Sequence, residues 1–459
     1  MIEGHVLQAL ADIVGPANLL SDPADCWPYG YDNSRRQHLP DAVVFPRDHD
    51  QVGAVVRHCN QHQVFMVPRG RGTGTTGATV PSRGGAVISL ERMDRIVKID
   101  PDNRVMVVEP GVTNQAVQDA AASHGFFWPP DPTSAAYCSI GGNLAYNSAG
   151  PRAVKYGTPR ENVLGLRAVT GGGEDIRTGV YTTKGVVGYD LTRLLIGSEG
   201  TLAIITEATL KLTPLPQDKR TLQAIYQDIG SATNAVSRIM AQPVTPCALE
   251  FMDAQAIAMI RDYAEIDLPV DAGALLMIEV DGPRVAMDDA IAEIRAAAAT
   301  SGLIGIKAAA NATEVAALWA TRKALSPALR TVAPKKINED VVVPVSRIPA
   351  LIDGLQRLAR EHAITIVNFG HAGNGNIHVN LLIDPDAPGE LARAETCLGQ
   401  VFDLVLQLQG TLSGEHGVGL EKRDYIGREI GAVELALMRG IKADFDPRGL
   451  LNPDKMLPA

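Results

Sequence analysis

Cysteine is scarce in this chain, and it is never clustered. Cys26, Cys59, Cys138, Cys247 and Cys397 lie far apart, and no Cys-x-x-Cys pair occurs. That excludes an iron–sulfur cluster or a structural thiolate zinc site carried by the chain. Free, mostly buried thiols are expected instead. Long apolar runs are also missing: none approaches the roughly 20 residues that cross a bilayer. Met1-Ile-Glu-Gly-His has no basic stretch leading into an apolar core, so no secretory signal is read. A cytoplasmic protein follows, with peripheral contact on the inner face of a membrane still compatible. Positive charge is in deficit, with 42 Lys and Arg against 52 Asp and Glu. A net charge of −10 argues against nucleic acid as a partner.

What is present is an ordinary globular balance, 46% hydrophobic and 20% charged. At 459 residues the chain is too long for one core and fits two or three domains. Residues 1–216 read as an α+β domain with mixed sheets: a helix over 50–63, strands over 64–67, 86–90, 96–99 and 104–109, a helix over 113–124, and strands over 164–170 and 202–212. Thr213-Pro-Leu-Pro216 breaks any continuing element and marks a boundary. Residues 217–459 then alternate strand and helix with an antiparallel pair, which suits a ferredoxin-like α+β cap.

Two regions carry chemistry. Gly72-Thr-Gly74-Thr-Thr-Gly77 matches G-x-G-x-x-G literally. That fingerprint belongs at the N-terminus of a helix, yet here it runs into Ala78-Thr-Val-Pro81-Ser-Arg-Gly84-Gly85, which cannot be one. The loop is therefore expected to hold phosphate in a nest of backbone N–H groups helped by threonine hydroxyls, with Arg69 and Arg71 adding charge. Further glycine turns at 138–150 and 196–205 exceed the needs of a mononucleotide and suit an extended flavin dinucleotide. The second region reads His371-Ala-Gly-Asn-Gly-Asn-Ile-His378-Val-Asn380, followed by Ser413-Gly-Glu415-His416-Gly. Strand alternation puts His378 and Asn380 on one face. His371, His378 and Glu415 make a set of two imidazoles and one carboxylate for a divalent metal with open positions. His416, next to a ligand, is the candidate base.

The motifs Pro68-Arg-Gly-Arg-Gly-Thr-Gly, Pro130-Asp-Pro-Thr-Ser, Ser139-Ile-Gly-Gly-Asn, Lys155-Tyr-Gly157, Gly197-Ser-Glu-Gly-Thr, Gly370-His-Ala-Gly-Asn-Gly-Asn-Ile-His378, Ser413-Gly-Glu-His-Gly and Leu451-Asn-Pro-Asp-Lys-Met456 span nearly the whole chain. In order and spacing they resemble the FAD-linked oxidoreductases of the vanillyl-alcohol oxidase / p-cresol methylhydroxylase superfamily. The nearest branch holds D-lactate dehydrogenase, the glycolate oxidase catalytic subunit and D-2-hydroxyglutarate dehydrogenase.

The resemblance implies a two-part FAD domain, a cap that closes over the flavin ring, and a helical C-terminal tail (about 420–459) returning to the FAD domain. Carried over by motif, Arg69, Gly70, Arg71, Gly72, Thr73, Gly74, Thr75 and Gly77 hold the pyrophosphate. Pro132, Thr133, Gly141, Gly142, Asn143, Ser148, Gly150, Glu199, Gly200 and Ile205 line the rest of the FAD, and Asn452 lies near the ring. No histidine stands in the phosphate loop, so noncovalent FAD is expected. Zinc or manganese fits the metal set.

Leu318-Trp319-Ala-Thr-Arg322-Lys-Ala-Leu-Ser326 resembles the family's substrate-binding helix. Arg322 is its carboxylate anchor, Ser326 sits one turn on, and Asn380 also touches substrate. Family members acting on dicarboxylates carry a lysine near Asn338, so a smaller acid is expected here. Two departures stand out: Pro151 after Asn147-Ser-Ala-Gly, and Asn374 in place of an aspartate. The implied activity is oxidation of D-lactate or glycolate by hydride transfer to flavin N5. The nearest alternatives are D-2-hydroxyglutarate dehydrogenase and a noncatalytic FAD-binding subunit of a larger complex. The implied electron acceptor is a quinone, a cytochrome or an electron-transfer flavoprotein, and kinship suggests a homodimer.

Overall fold

The computed structural model describes residues 1–263 and 268–458, without the side chains of Asp262, Tyr263, Lys323, Ser326, Pro327 and Arg330. The chain divides into two compact units. One comprises residues 1–150, 157–215 and 415–459, and the other residues 151–156 and 216–414. The short detour of residues 151–156 into the second unit carries no signal in the sequence. Its Lys155 ammonium bonds both the backbone and the carboxylate of Asp281, and the Tyr156 hydroxyl donates to Asp281 at 2.7 Å.

The first unit is built on two main sheets, beside a short two-stranded pairing of Phe126–Phe127 with Thr213–Pro214. In one, β1 (Ala42–Val44), β2 (Met66–Arg69) and β3 (Ala86–Ser89) run parallel, with β3 in the middle. Helix α1 (His49–Gln61) connects β1 to β2. Asp48 starts this helix by accepting the Gln51 N–H at 2.8 Å, a cap worth about 1 kcal/mol. The buried Val52, Val55, Val56 and Cys59 recur at helical spacing, so this face packs on Val44, Met66 and Ile88. The second sheet is antiparallel. It contains β4 (Ile96–Asp100), β5 (Val105–Val108), β6 (Val163–Thr170), β7 (Asp175–Gly179) and β8 (Ala203–Lys211) in the order β4-β5-β8-β6-β7. Its core includes fully buried Trp128, with helices α2 (Asn114–Ala122) and α3 (Ile140–Tyr146) laid against it.

The second unit is built on one seven-stranded antiparallel sheet. Its strands are β9 (Asp218–Tyr226), β10 (Ala248–Asp253), β11 (Ala274–Gly282), β12 (Leu303–Ala308), β13 (Lys335–Val342), β14 (Thr365–His371) and β15 (Asn376–Ile383), in the order β12-β9-β11-β10-β14-β15-β13. Helices α4 (Ala254–Tyr263) and α5 (Ala312–Val332) cover one face, where Ile257, Ile260, Leu325 and Leu329 meet Met252, Leu275, Val367 and Phe369. Every residue of β10 and β15 is buried, so both faces of these central strands are covered. Among the described residues no helix is long and apolar enough to cross a membrane.

Candidate functional site

In the first unit the glycine-rich loop leaves β2 at Arg69 and reaches β3 at Ala86 without forming a helix. Gly72 and Gly77 have φ of +66° and +78°, a region that side chains rarely enter. A Cβ on Gly74 would lie 2.5 Å from the Tyr146 hydroxyl, and one on Gly70 would strike the Ser139 hydroxyl oxygen. The loop thus lies directly on α3, which also carries Gly141, Gly142 and Asn143. Arg71 is exposed, and Thr73 and Thr75 are half-buried. The Arg69 guanidinium is buried and braces the loop, donating to the Tyr31 carbonyl at 2.8 Å and the Thr79 hydroxyl at 3.2 Å.

The remaining turns converge on the same part of this unit. The Asp131 N–H donates to the Ala149 carbonyl at 2.7 Å, tying the segment with Pro132 and Thr133 to the one with Ser148 and Gly150. Asn143 accepts from Asn114 at 3.1 Å. Glu199 has φ +53°, and its buried carboxylate accepts the Val418 and Gly419 N–H groups at 2.5 and 2.8 Å. Burial pushes this carboxyl above its usual range, against those N–H groups and the charges of Lys422 and Lys455. A Cβ on Gly200 would lie 2.5 Å from Pro68. Ile205 packs into the core of the second sheet.

Asn452 donates to the Ala78 and Glu199 carbonyls at 3.0 and 2.7 Å, and its carboxamide oxygen is buried with no partner among the described residues. Lys455 is 4% exposed, and burial lowers its pKa to about 8. The Glu415 carboxylate accepts the Gly150 N–H at 3.0 Å, and the His416 carbonyl accepts the Thr76 hydroxyl at 3.3 Å. Backbone N–H groups, glycines without room for a side chain and an unpaired buried carboxamide oxygen fit an extended flavin dinucleotide.

In the second unit the register of the sheet assembles the polar site. Glu250 pairs with His371, Phe369 with His378, His378 with Asp340, and Asn380 with Asn338. Residues directly opposite one another share a face. Glu250, His371, His378, Asp340, Asn380 and Asn338 therefore all lie on the face covered by α4 and α5. The two imidazoles are diagonal neighbours on β14 and β15, edge to face with centroids 5.3 Å apart, and their ligand nitrogens lie within 4.8 Å of one another. The His371 Nδ1 lies 2.5 Å from Glu250 Oε1. Arg322, on α5, donates from Nε to Glu250 Oε2 at 2.8 Å and stacks over the Phe369 ring at 4.7 Å. Burial would raise the Glu250 carboxyl, but the charges of His371 and Arg322 and their hydrogen bonds outweigh it and hold the carboxyl below its ordinary value.

Asn380 is fully buried, and its amide is spent on the Val367 and His378 carbonyls and on Asn338. Asp340 takes the Ser413 hydroxyl at 3.1 Å and the Gly414 N–H at 2.9 Å. Glu415 is the next residue, so the chain leaves this unit directly from the strand register that carries His378. Ser326 follows Arg322 by one turn on α5; its side chain lies outside the described residues.

Sequence reading missed Glu250, Asp340, Tyr146 and Lys455. An acid inside the apolar run Ala248-Leu-Glu-Phe-Met252 was the available signal for Glu250, because an ionised group in a buried strand requires partners.

Comparison with known proteins covers both units. Residues 40–179 match the family described as FAD binding domain, and residues 215–456 match FAD linked oxidases, C-terminal domain. The glycolate oxidase subunit GlcD of Bacillus subtilis is 40% identical over 99% of this chain and 97% of its own length. The D-2-hydroxyglutarate dehydrogenase of Stutzerimonas stutzeri is 32% identical over the full length of both. The solved structure of p-cresol methylhydroxylase with substrate bound superposes with a TM-score of 0.80 over 98% of this chain and 95% of that one, at 18% identity.

Proposed function

This chain belongs to the FAD-linked oxidases, and from that premise we propose that it oxidises a small D-2-hydroxy acid, glycolate or D-lactate first, to the 2-oxo acid. Bound FAD supplies the acceptor for the hydride leaving the substrate carbon. The loop from Arg69 to Gly77 holds its pyrophosphate, and the turns around Gly142, Ser148, Glu199 and Asn452 hold the rest. Arg69 serves by bracing the loop from beneath, since its guanidinium is already spent on backbone carbonyls. His371, His378 and Glu415 are the ligands for a zinc or manganese ion, whose chemistry when bound is to acidify the substrate hydroxyl. A ring nitrogen of His416 takes the hydroxyl proton. The Arg322 fork pairs with the substrate carboxylate.

The observation that carries this reading is the shared sheet face: two imidazoles at diagonal positions with a half-buried arginine over the same strands. Asn338, beside Asn380, favours an acid without a second carboxylate. The longer D-2-hydroxyglutarate is the second reading, favoured by Lys336. Strand alternation puts that cation on the same face as Asn338, two residues away.

Anaerobic mixing with a panel of D- and L-2-hydroxy acids, with and without EDTA, tests both readings. D-lactate or glycolate is expected to bleach the flavin near 450 nm, and chelator to slow it. Bleaching by D-2-hydroxyglutarate alone selects the second reading, and no bleaching by any acid rejects both. Reoxidation of the bleached protein with a quinone, cytochrome c or an electron-transfer flavoprotein then identifies the acceptor.

A further inference from the structure

We propose that Glu250 is a positioning residue that sets the tautomer of His371 and the pose of Arg322 at once. The inference rests on the reading of His371 as a metal ligand and Arg322 as the carboxylate anchor. An ionised carboxylate offers only acceptors, so the ring nitrogen 2.5 Å from Glu250 Oε1, Nδ1, must carry the proton. Of the two neutral tautomers this selects the one whose Nε2 keeps its lone pair, which is the form a metal requires. The opposite oxygen of the same carboxylate fixes the Nε–H of Arg322. With Nε occupied and the guanidinium carbon 4.7 Å over the Phe369 ring, the terminal amino groups remain for a substrate carboxylate.

The backbone determines this arrangement. Glu250 and His371 are direct partners across β10 and β14, so their side chains meet without any long flexible reach. Glu250 is 1% exposed, on a strand with no other charge before Asp253. Stability alone does not account for an acid there. A buried ion pair costs desolvation that its partners only roughly return, and apolar groups of the same volume commonly do as well. What an apolar residue would not do is hold one tautomer of His371 and one rotamer of Arg322.

The Glu250→Gln variant separates these roles, because a carboxamide presents one acceptor and one donor. Its single oxygen cannot fill both acceptor positions, so either His371 or Arg322 meets an N–H donor instead. Chelator-stripped protein is titrated with Zn²⁺ or Mn²⁺ alone by calorimetry, and KM for D-lactate and glycolate is measured on the reloaded enzyme. The expected result is metal affinity weaker by roughly 10–100-fold and a raised KM, with flavin content and melting temperature retained. Unchanged affinity and unchanged KM overturn the proposal.

Selective ¹⁵N-histidine labelling of the unmutated protein gives an independent measurement. His371 is expected to be protonated at Nδ1, and an unprotonated Nδ1 overturns the proposal even where Glu250→Gln fails to fold. His371→Ala distinguishes the two levels of inference. If that variant binds metal as tightly as the native protein, the metal site itself is misassigned. If it loses metal while Glu250→Gln keeps native affinity and KM, only the role of Glu250 falls.

Discussion

The two units solve the problem of building a site by opposite means. In the first, the candidate contacts come from backbone: glycines at positive φ, N–H groups on turns, and loops pressed so closely that a Cβ has no space. Residues far apart in sequence each contribute a little, as suits a long ligand held at many points. In the second, the contacts come from side chains fixed by the register of one antiparallel sheet. A few groups there have pairings that allow one arrangement. The difference teaches where each unit is fragile: the first to added volume, the second to lost chemistry.

Crossed variants sharpen that contrast. The largest effect is expected from His371→Ala, with turnover down by at least ~1,000-fold, in the range of losing a metal's charge stabilisation, while the flavin absorbance of the purified protein stays intact. Native turnover in that variant removes the metal role of the second unit. Next is Gly200→Val in the first unit. Its positive φ and the contact with Pro68 leave no room, so the ratio of flavin to protein absorbance is expected to fall sharply. Full flavin loading would show that backbone closeness does not govern this unit.

Arg322→Lys is smaller again. A point charge replaces a fork, and steady-state kinetics should show KM raised by about 10-fold with kcat less affected. An unchanged KM removes Arg322 as the carboxylate anchor.

The remaining effect is on stability rather than on activity. Asp253 is 5% exposed and accepts from Ala256 and Asn368, yet burial raises its pKa to about 6. Its folded value exceeds its unfolded one, so the folded state binds the proton more tightly. Its contribution is full below pH 3.8 and is lost as pH rises to about 6, a change of about 3 kcal/mol. Urea unfolding of native and Asp253→Asn protein across this range tests it; equal slopes in both would reject it.

Much of this molecule could be read in advance where the information is local. A helix is expected over 50–63 and the structure has one at His49–Gln61, because apolar residues at helical spacing are a local signal. The glycine loop was rightly denied a helix, because Pro81 and the run of glycines forbid one wherever the rest of the chain lies. His378 and Asn380 were rightly placed on one face by strand alternation. The strands Leu303–Ala308 and Lys335–Val342 were not foreseen. Both carry mixed polar and apolar residues whose strand state comes from pairing with neighbours. Arg69 drew notice as a charge for phosphate, but its guanidinium turned out to be committed to carbonyls contributed by residues some 40 positions earlier.

The sequence by itself determined which residue types were available: imidazoles and a carboxylate suited to a cation, glycines that let backbone approach a phosphate, and too little positive charge for a polyanion. Tertiary structure alone decided who meets whom. Glu250 and His371 stand 121 residues apart, and no local rule joins them. They meet because β10 and β14 are neighbours in one sheet and side chains alternate with a period of two. A one-residue slip in that pairing would turn the acid to the opposite face and leave the histidine without its partner.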